Sequence, residues 1–133
     1  MPAQLDVSRH YTHGGLTHAI RDELAWLGKA SGTVTVDDLA PVDEFHIGGR
    51  KASEDFLDQL GFRADKHVLD VGCGLGGAAR FVASRYGSLV TGIDLTSEYV
   101  ETGKTHLALV IRPSTSQITP WANLHPQCRQ RCH

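Results

Sequence analysis

A chain of 133 residues with a formal net charge of −2 holds one small domain, and its charge balance creates no field that would draw it to nucleic acid or an acidic membrane. Its start, Met1-Pro2-Ala3-Gln4-Leu5-Asp6, has no basic stretch leading into an apolar core, and no apolar run reaches membrane-spanning length, so the sequence reads as soluble and cytoplasmic. Three cysteines beside a nucleotide-type glycine loop fit a reducing compartment rather than a disulfide scaffold.

In chain order, Thr17 is positioned to cap a helix through Leu27, with Leu16, Ile20, Leu24 and Leu27 on one face and Gly28 as its stop. Ser31-Gly32-Thr33 is a linker, and Thr35 caps a single turn, Val36 to Leu39, that Pro41 ends. These pieces make residues 1–42 an N-terminal helical cap. A third helix is predicted over Arg50 to Leu60, with Ala52, Phe56, Leu57 and Leu60 as its apolar stripe and Gly61 as its C-terminal cap. Val68-Leu69-Asp70-Val71 reads as a buried strand that breaks into the turn Gly72-Cys73-Gly74-Leu75-Gly76-Gly77. A helix from Gly76 to Tyr86 follows, ended by Gly87, and a second strand runs Leu89 to Ile93 and stops at Asp94. Thr96 or Ser97 then caps a helix with Glu98 in its first turn, which Pro113 prevents from running far past Val110. Residues 43–104 are thereby read as the strand, helix, strand part of an α/β domain, with a nucleotide-type loop at its first turn.

The composition then changes. All 15 acids lie in residues 1–101, whereas residues 102–133 carry four basic residues and no acid, together with Pro113, Pro120 and Pro126. Residues 105–133 are expected to be largely irregular. Their His125, Cys128, Cys132 and His133 are zinc-ligand types, but no longer loop separates them into two ligand pairs. Coincidence outweighs a metal site there, and no metal is expected.

As a bare pattern, Gly72-x-Gly74-x-x-Gly77 followed by Asp94 is a dinucleotide fingerprint. Asp70 argues otherwise. A dinucleotide site presents a helix N-terminus to a pyrophosphate, and an aspartate two residues before the first glycine would repel that anion. S-adenosylmethionine carries a sulfonium and an α-ammonium and no phosphate, so an acid at the end of the first strand has a cationic partner in it. Asp94 would then accept hydrogen bonds from the ribose hydroxyls. Cys73 has no basic neighbour in sequence to activate it and reads as a small filler.

The run VLDVGCGLGGAARFVASRYGSLVTGIDLTSEYVETGK resembles the first motif and second-strand acid of class I S-adenosylmethionine-dependent methyltransferases. The upstream segment Asp43 to Ala52 is similar to one in the ubiquinone/menaquinone and sarcosine/dimethylglycine methyltransferase-like branch. The resemblance covers roughly residues 10–104. It implies a Rossmann-like parallel sheet with helices on both faces, S-adenosylmethionine as cofactor and a small-molecule methyl acceptor. It also implies that Asp70, Gly72, Gly74 and Gly76 line the methionyl end, that Asp94 holds the ribose and that Leu95 packs against the adenine. Tyr11, His46 and Arg50 become candidates for closing the site, beside plainer readings as packing residues, a loop hydrogen bond and a solvated helical turn. The family's third strand and acceptor-facing half are not recognisable after Lys104, so the chain reads as truncated or out of frame beyond that point, with its sheet incomplete and its activity doubtful. A cofactor-binding remnant without turnover and a dinucleotide-binding dehydrogenase fragment are the competing readings, and no residue is assigned as a catalytic base.

Overall fold

The computed structural model of the chain describes residues 12, 14–26, 28–30, 33–43, 48–109 and 116–120. Helix α1, Leu16–Trp26, begins one residue before the expected cap. Its leading amides are held from afar, since Glu98 accepts the N–H groups of Gly14 (3.0 Å) and Leu16 (3.1 Å). Thr17 lies one position inside the helix, with its hydroxyl 2.6 Å from that of Thr102.

Helix α2 spans Val36–Asp43 and has Pro41 within it, so the proline does not end the element as the sequence suggests. Thr35 Oγ1 accepts the Asp38 N–H at 3.1 Å, and Asp38 Oδ2 accepts the Thr35 N–H at 2.9 Å, a reciprocal box that fixes the start. The one backbone bond lost at Pro41 is outweighed at the far end, where Leu39 is fully buried and Asp43 forms an ion pair with Arg80. Helix α3, Gly49–Leu57, passes into a 3-10 turn, Asp58–Leu60, which Gly61 closes at φ 64°. Of its expected stripe only Leu57 is buried; Phe56 and Leu60 are exposed.

Strand β1 is His67–Val71, helix α4 Gly77–Tyr86, strand β2 Leu89–Asp94 and helix α5 Ser97–Leu109. A third strand, β3, follows at Ser116–Pro120, within the segment expected to be irregular. It pairs parallel with β2, setting Gly92 opposite Ile118 and Asp94 opposite Pro120. A third strand, not recognisable in the sequence after Lys104, is therefore present. It escaped notice because Ile118 is its one large apolar residue, between polar neighbours and a proline that only an edge strand accommodates.

The sheet order is β1-β2-β3, all parallel. Side-chain contacts place α4 and α5 on one face of the sheet, as two crossovers of the same hand would. Val68 and Val90 pack there against Ala79, Val82 and Ala83 of α4, and Ile118 packs against Gly103 of α5. A second apolar cluster joins Ile20 and Leu24 of α1, Val34 and Leu39 to Leu75 in the glycine loop, so the N-terminal helices close over that loop from the same side. On the opposite face, which carries no helix among the described residues, Leu69 is 50% and Val71 62% exposed.

Candidate functional site

The C-terminal ends of β1 and β2 deliver Asp70 and Asp94 to either side of the loop from Gly72 to Gly76. Gly72, Gly74 and Gly76 have φ angles of 74°, 56° and 81°, a region that side chains disfavour. The loop's donors are turned inward. Gly72 and Cys73 both donate to the Ile93 carbonyl (2.8 and 3.0 Å), Gly76 donates to the Cys73 carbonyl (2.8 Å), and Gly74 donates to Asp94 Oδ2 (2.9 Å). Asp94 Oδ1 accepts the Thr96 N–H at 2.8 Å. Each carboxylate oxygen of Asp94 keeps a further lone pair for a ligand hydroxyl.

The glycines divide into two pairs. A Cβ built on Gly72 or Gly74 would meet no heavy atom within 4 Å, so these two border open space. A Cβ on Gly76 would fall on the Ile118 side-chain methyl and lie 3.2 Å from Arg80 Nη1, and one on Gly77 would lie 2.5 Å from Asp43 Cβ. Gly76, expected beside Gly72 and Gly74, points its missing side chain into the protein.

Burial raises the Asp70 carboxyl above the usual carboxylate range, and the neighbouring Asp94 charge raises it further. Neither acid forms an ion pair among the described residues. The Cys73 thiol is pushed up to about 12, by burial first and then by Asp70 and Asp94, and its Sγ sits 2.8 Å from where a Gly92 Cβ would be. It is a filler for the space Gly92 leaves, protonated at neutral pH and a poor nucleophile. Leu95, directly after Asp94, is 43% exposed. Arg50 stacks on the Phe81 ring at 4.9 Å and donates to the Val36 carbonyl at 3.2 Å, contacts that join α3 to α2 and α4. Tyr11, His46 and the His and Cys residues of the tail lie outside the described residues. Among the described residues no group of three His, Cys, Asp or Glu side chains could hold a metal ion, and no helix is long and apolar enough to cross a membrane.

Sequence reasoning overlooked a buried ionic cluster behind the loop. Arg80 on α4 reaches Asp43 Oδ2 at 2.5 Å, and Asp43 Oδ1 lies 3.2 Å from His106 Nδ1 on α5. Arg80 Nη1 also donates to the Leu75 carbonyl at 2.7 Å and to the Gly103 carbonyl at 3.4 Å. An available signal was the position of Arg80 among Ala79, Phe81, Val82 and Ala83, because a charge inside an apolar helix requires a partner.

The family model for mycolic acid cyclopropane synthetase matches residues 45–128, a stretch that continues past Lys104 and includes β3. Over 68 residues the chain is 35% identical to phosphoethanolamine N-methyltransferase 1 of Zea mays, covering 51% of this chain and 14% of that protein. Over 84 residues it is 36% identical to a ubiquinone biosynthesis O-methyltransferase of Neisseria meningitidis, covering 63% of this chain and 31% of that protein. The chain thus spans less than a third of either relative's length. Among solved structures, the geranyl diphosphate C-methyltransferase of Streptomyces coelicolor aligns with a TM-score of 0.59 at 23% identity, over 90% of this chain and 48% of that one. At that identity the likeness establishes the fold, a Rossmann-like methyltransferase α/β arrangement of which three strands are described here.

Proposed function

The chain belongs to the mycolic acid cyclopropane synthetase family, and we propose that it forms the cofactor-binding part of an S-adenosylmethionine-dependent methyltransferase for a small-molecule acceptor. The observation that carries this reading is electrostatic. Two acids that have no cationic partner among the described residues flank a loop whose Gly72, Cys73, Gly74 and Gly76 amides are all donated internally. A pyrophosphate needs the opposite arrangement, with outward amides and no adjacent carboxylate. A ligand with an ammonium, a sulfonium and hydroxyls suits the two acids.

S-adenosylmethionine, when bound, supplies a methyl group activated by a sulfonium leaving group. Asp70 would receive the α-ammonium, directly or through water, and the spare lone pairs of Asp94 would take the ribose hydroxyls. Leu95 offers an apolar surface to the adenine, and the open space beside Gly72 and Gly74 admits the methionyl part. The domain reading is a helical cap over residues 1–42, a cofactor-binding part over 43–104 and a tail from 105 that contributes β3.

Among the described residues β1 has an unpaired edge and an exposed apolar face, which support the view that the sheet is incomplete and that this chain binds the cofactor without transferring its methyl group. Calorimetric titration tests the reading. S-adenosylhomocysteine is expected to bind and NAD+ to leave no heat; tighter binding of NAD+ would overturn the cofactor assignment. A radiolabelled methyl-transfer assay on the same preparation separates a binding module from an enzyme, and turnover would overturn the inactive reading.

A further inference from the structure

We infer that the buried Asp43–Arg80–His106 cluster is a positioning device: it fixes the glycine loop from behind and ties its geometry to the N-terminal helices. The inference rests on the cofactor reading for its functional consequence and on geometry alone for its structural one. The side chains of Arg80 and Asp43 are fully buried and that of His106 nearly so. A guanidinium in such surroundings is held in one orientation by its acceptors. Here those acceptors come from three separate elements: the Asp43 carboxylate on α2, the Leu75 carbonyl in the loop and the Gly103 carbonyl on α5.

Leu75 is the residue between Gly74, whose amide holds Asp94, and Gly76, whose missing side chain leaves room for Arg80. Arg80 therefore grips the loop at the carbonyl between its ligand-facing and inward-facing halves. Gly77 complements the arrangement, because any side chain there would strike Asp43 and push α2 off the loop. His106 braces the second oxygen of Asp43 from α5. A shift of α2 thus displaces the partner of Arg80 and, through it, the Leu75 carbonyl, although neither residue lies on the ligand-facing side.

The test compares Arg80→Lys, which keeps the charge and loses the forked donors, with Val82→Ala, a buried truncation on the same helix that leaves the cluster intact. Both are examined in the full chain at a temperature where circular dichroism reports each as folded. The expected result is that Arg80→Lys weakens S-adenosylhomocysteine binding at least tenfold, whereas Val82→Ala stays within twofold of wild type. Amide exchange of residues 72–77 should be faster in Arg80→Lys than in Val82→Ala. Equal affinity and equal exchange in the two variants would overturn the inference. If the wild-type chain binds no S-adenosylhomocysteine, the cofactor reading fails, and loop exchange alone decides the positioning role. Should Arg80→Lys not fold, Asp43→Asn, which leaves Arg80 a neutral acceptor, answers by the same two measurements.

Discussion

Replacing Gly76 by alanine probes the division of the loop glycines directly. Two costs add at this position. A side chain at φ 81° costs about 1–2 kcal/mol in backbone strain. The new Cβ also overlaps the Ile118 methyl and crowds Arg80 Nη1, an overpacking that typically adds about 1–3 kcal/mol. Gly76→Ala is therefore expected to lose about 2–5 kcal/mol, whereas Gly74→Ala, strained at φ 56° but facing open space, should lose only about 1–2 kcal/mol. Urea unfolding followed by circular dichroism measures both. The order should invert for ligand binding, since the methyl of Gly74→Ala occupies the ligand's side of the loop. Ile118→Ala supplies the stricter check, because removing the methyl relieves the clash. The Gly76→Ala/Ile118→Ala double variant should be more stable than the two single losses imply by about 1–3 kcal/mol. Additive losses, or equal losses at Gly74 and Gly76, would refute the packing assigned to the loop.

Asp70→Asn should raise the unfolding temperature at neutral pH and weaken S-adenosylhomocysteine binding by about 10- to 100-fold, the worth of a charge-assisted hydrogen bond. The sign follows from the raised carboxyl of Asp70. Folding favours its protonated form, so its stability contribution is full below the ordinary carboxylate pKa and is lost as pH rises through the folded value. The advantage of the asparagine variant should accordingly disappear in acid, and a pH-independent advantage would contradict the burial argument. Leu69→Lys, on the uncovered face of β1, should reduce self-association measured by light scattering with little change in circular dichroism; unchanged scattering would remove that strand as the adhesive surface. Cys73 should alkylate with iodoacetamide at pH 8 far more slowly than free cysteine, as mapped by mass spectrometry, and Cys73→Ala should retain ligand binding.

The legible parts of the sequence were those where one local rule dominates. Gly72, Gly74 and Gly87 announce left-handed backbone, the runs ending at Val71 and Asp94 announce strands, and Thr35 announces a helix start. Misreadings arose where distant residues decide. Pro41 stays within a helix because Asp43 is held by Arg80, 37 positions away, and α1 begins at Leu16 because Glu98 takes its amides. Ser116–Pro120 becomes a strand through β2 and the space beneath Ile118, neither of which a local pattern reveals. At the candidate site, Asp70, Asp94 and the loop glycines were named in advance, but which glycines face inward depends on neighbours from α2 and β3.

The seat of Ile118 has a consequence for the order in which the molecule can assemble. Its walls are Gly76, Gly92 and Gly103, all made before the residue that fills it. As the chain leaves the ribosome, the first two strands and their helix can pair while the space against the back of the loop is still unfilled. The loop reaches its packed form only when β3 arrives, so a nascent chain arrested short of residue 118 should hold cofactor weakly. A later-made strand thus completes a loop that was synthesised some forty residues before it.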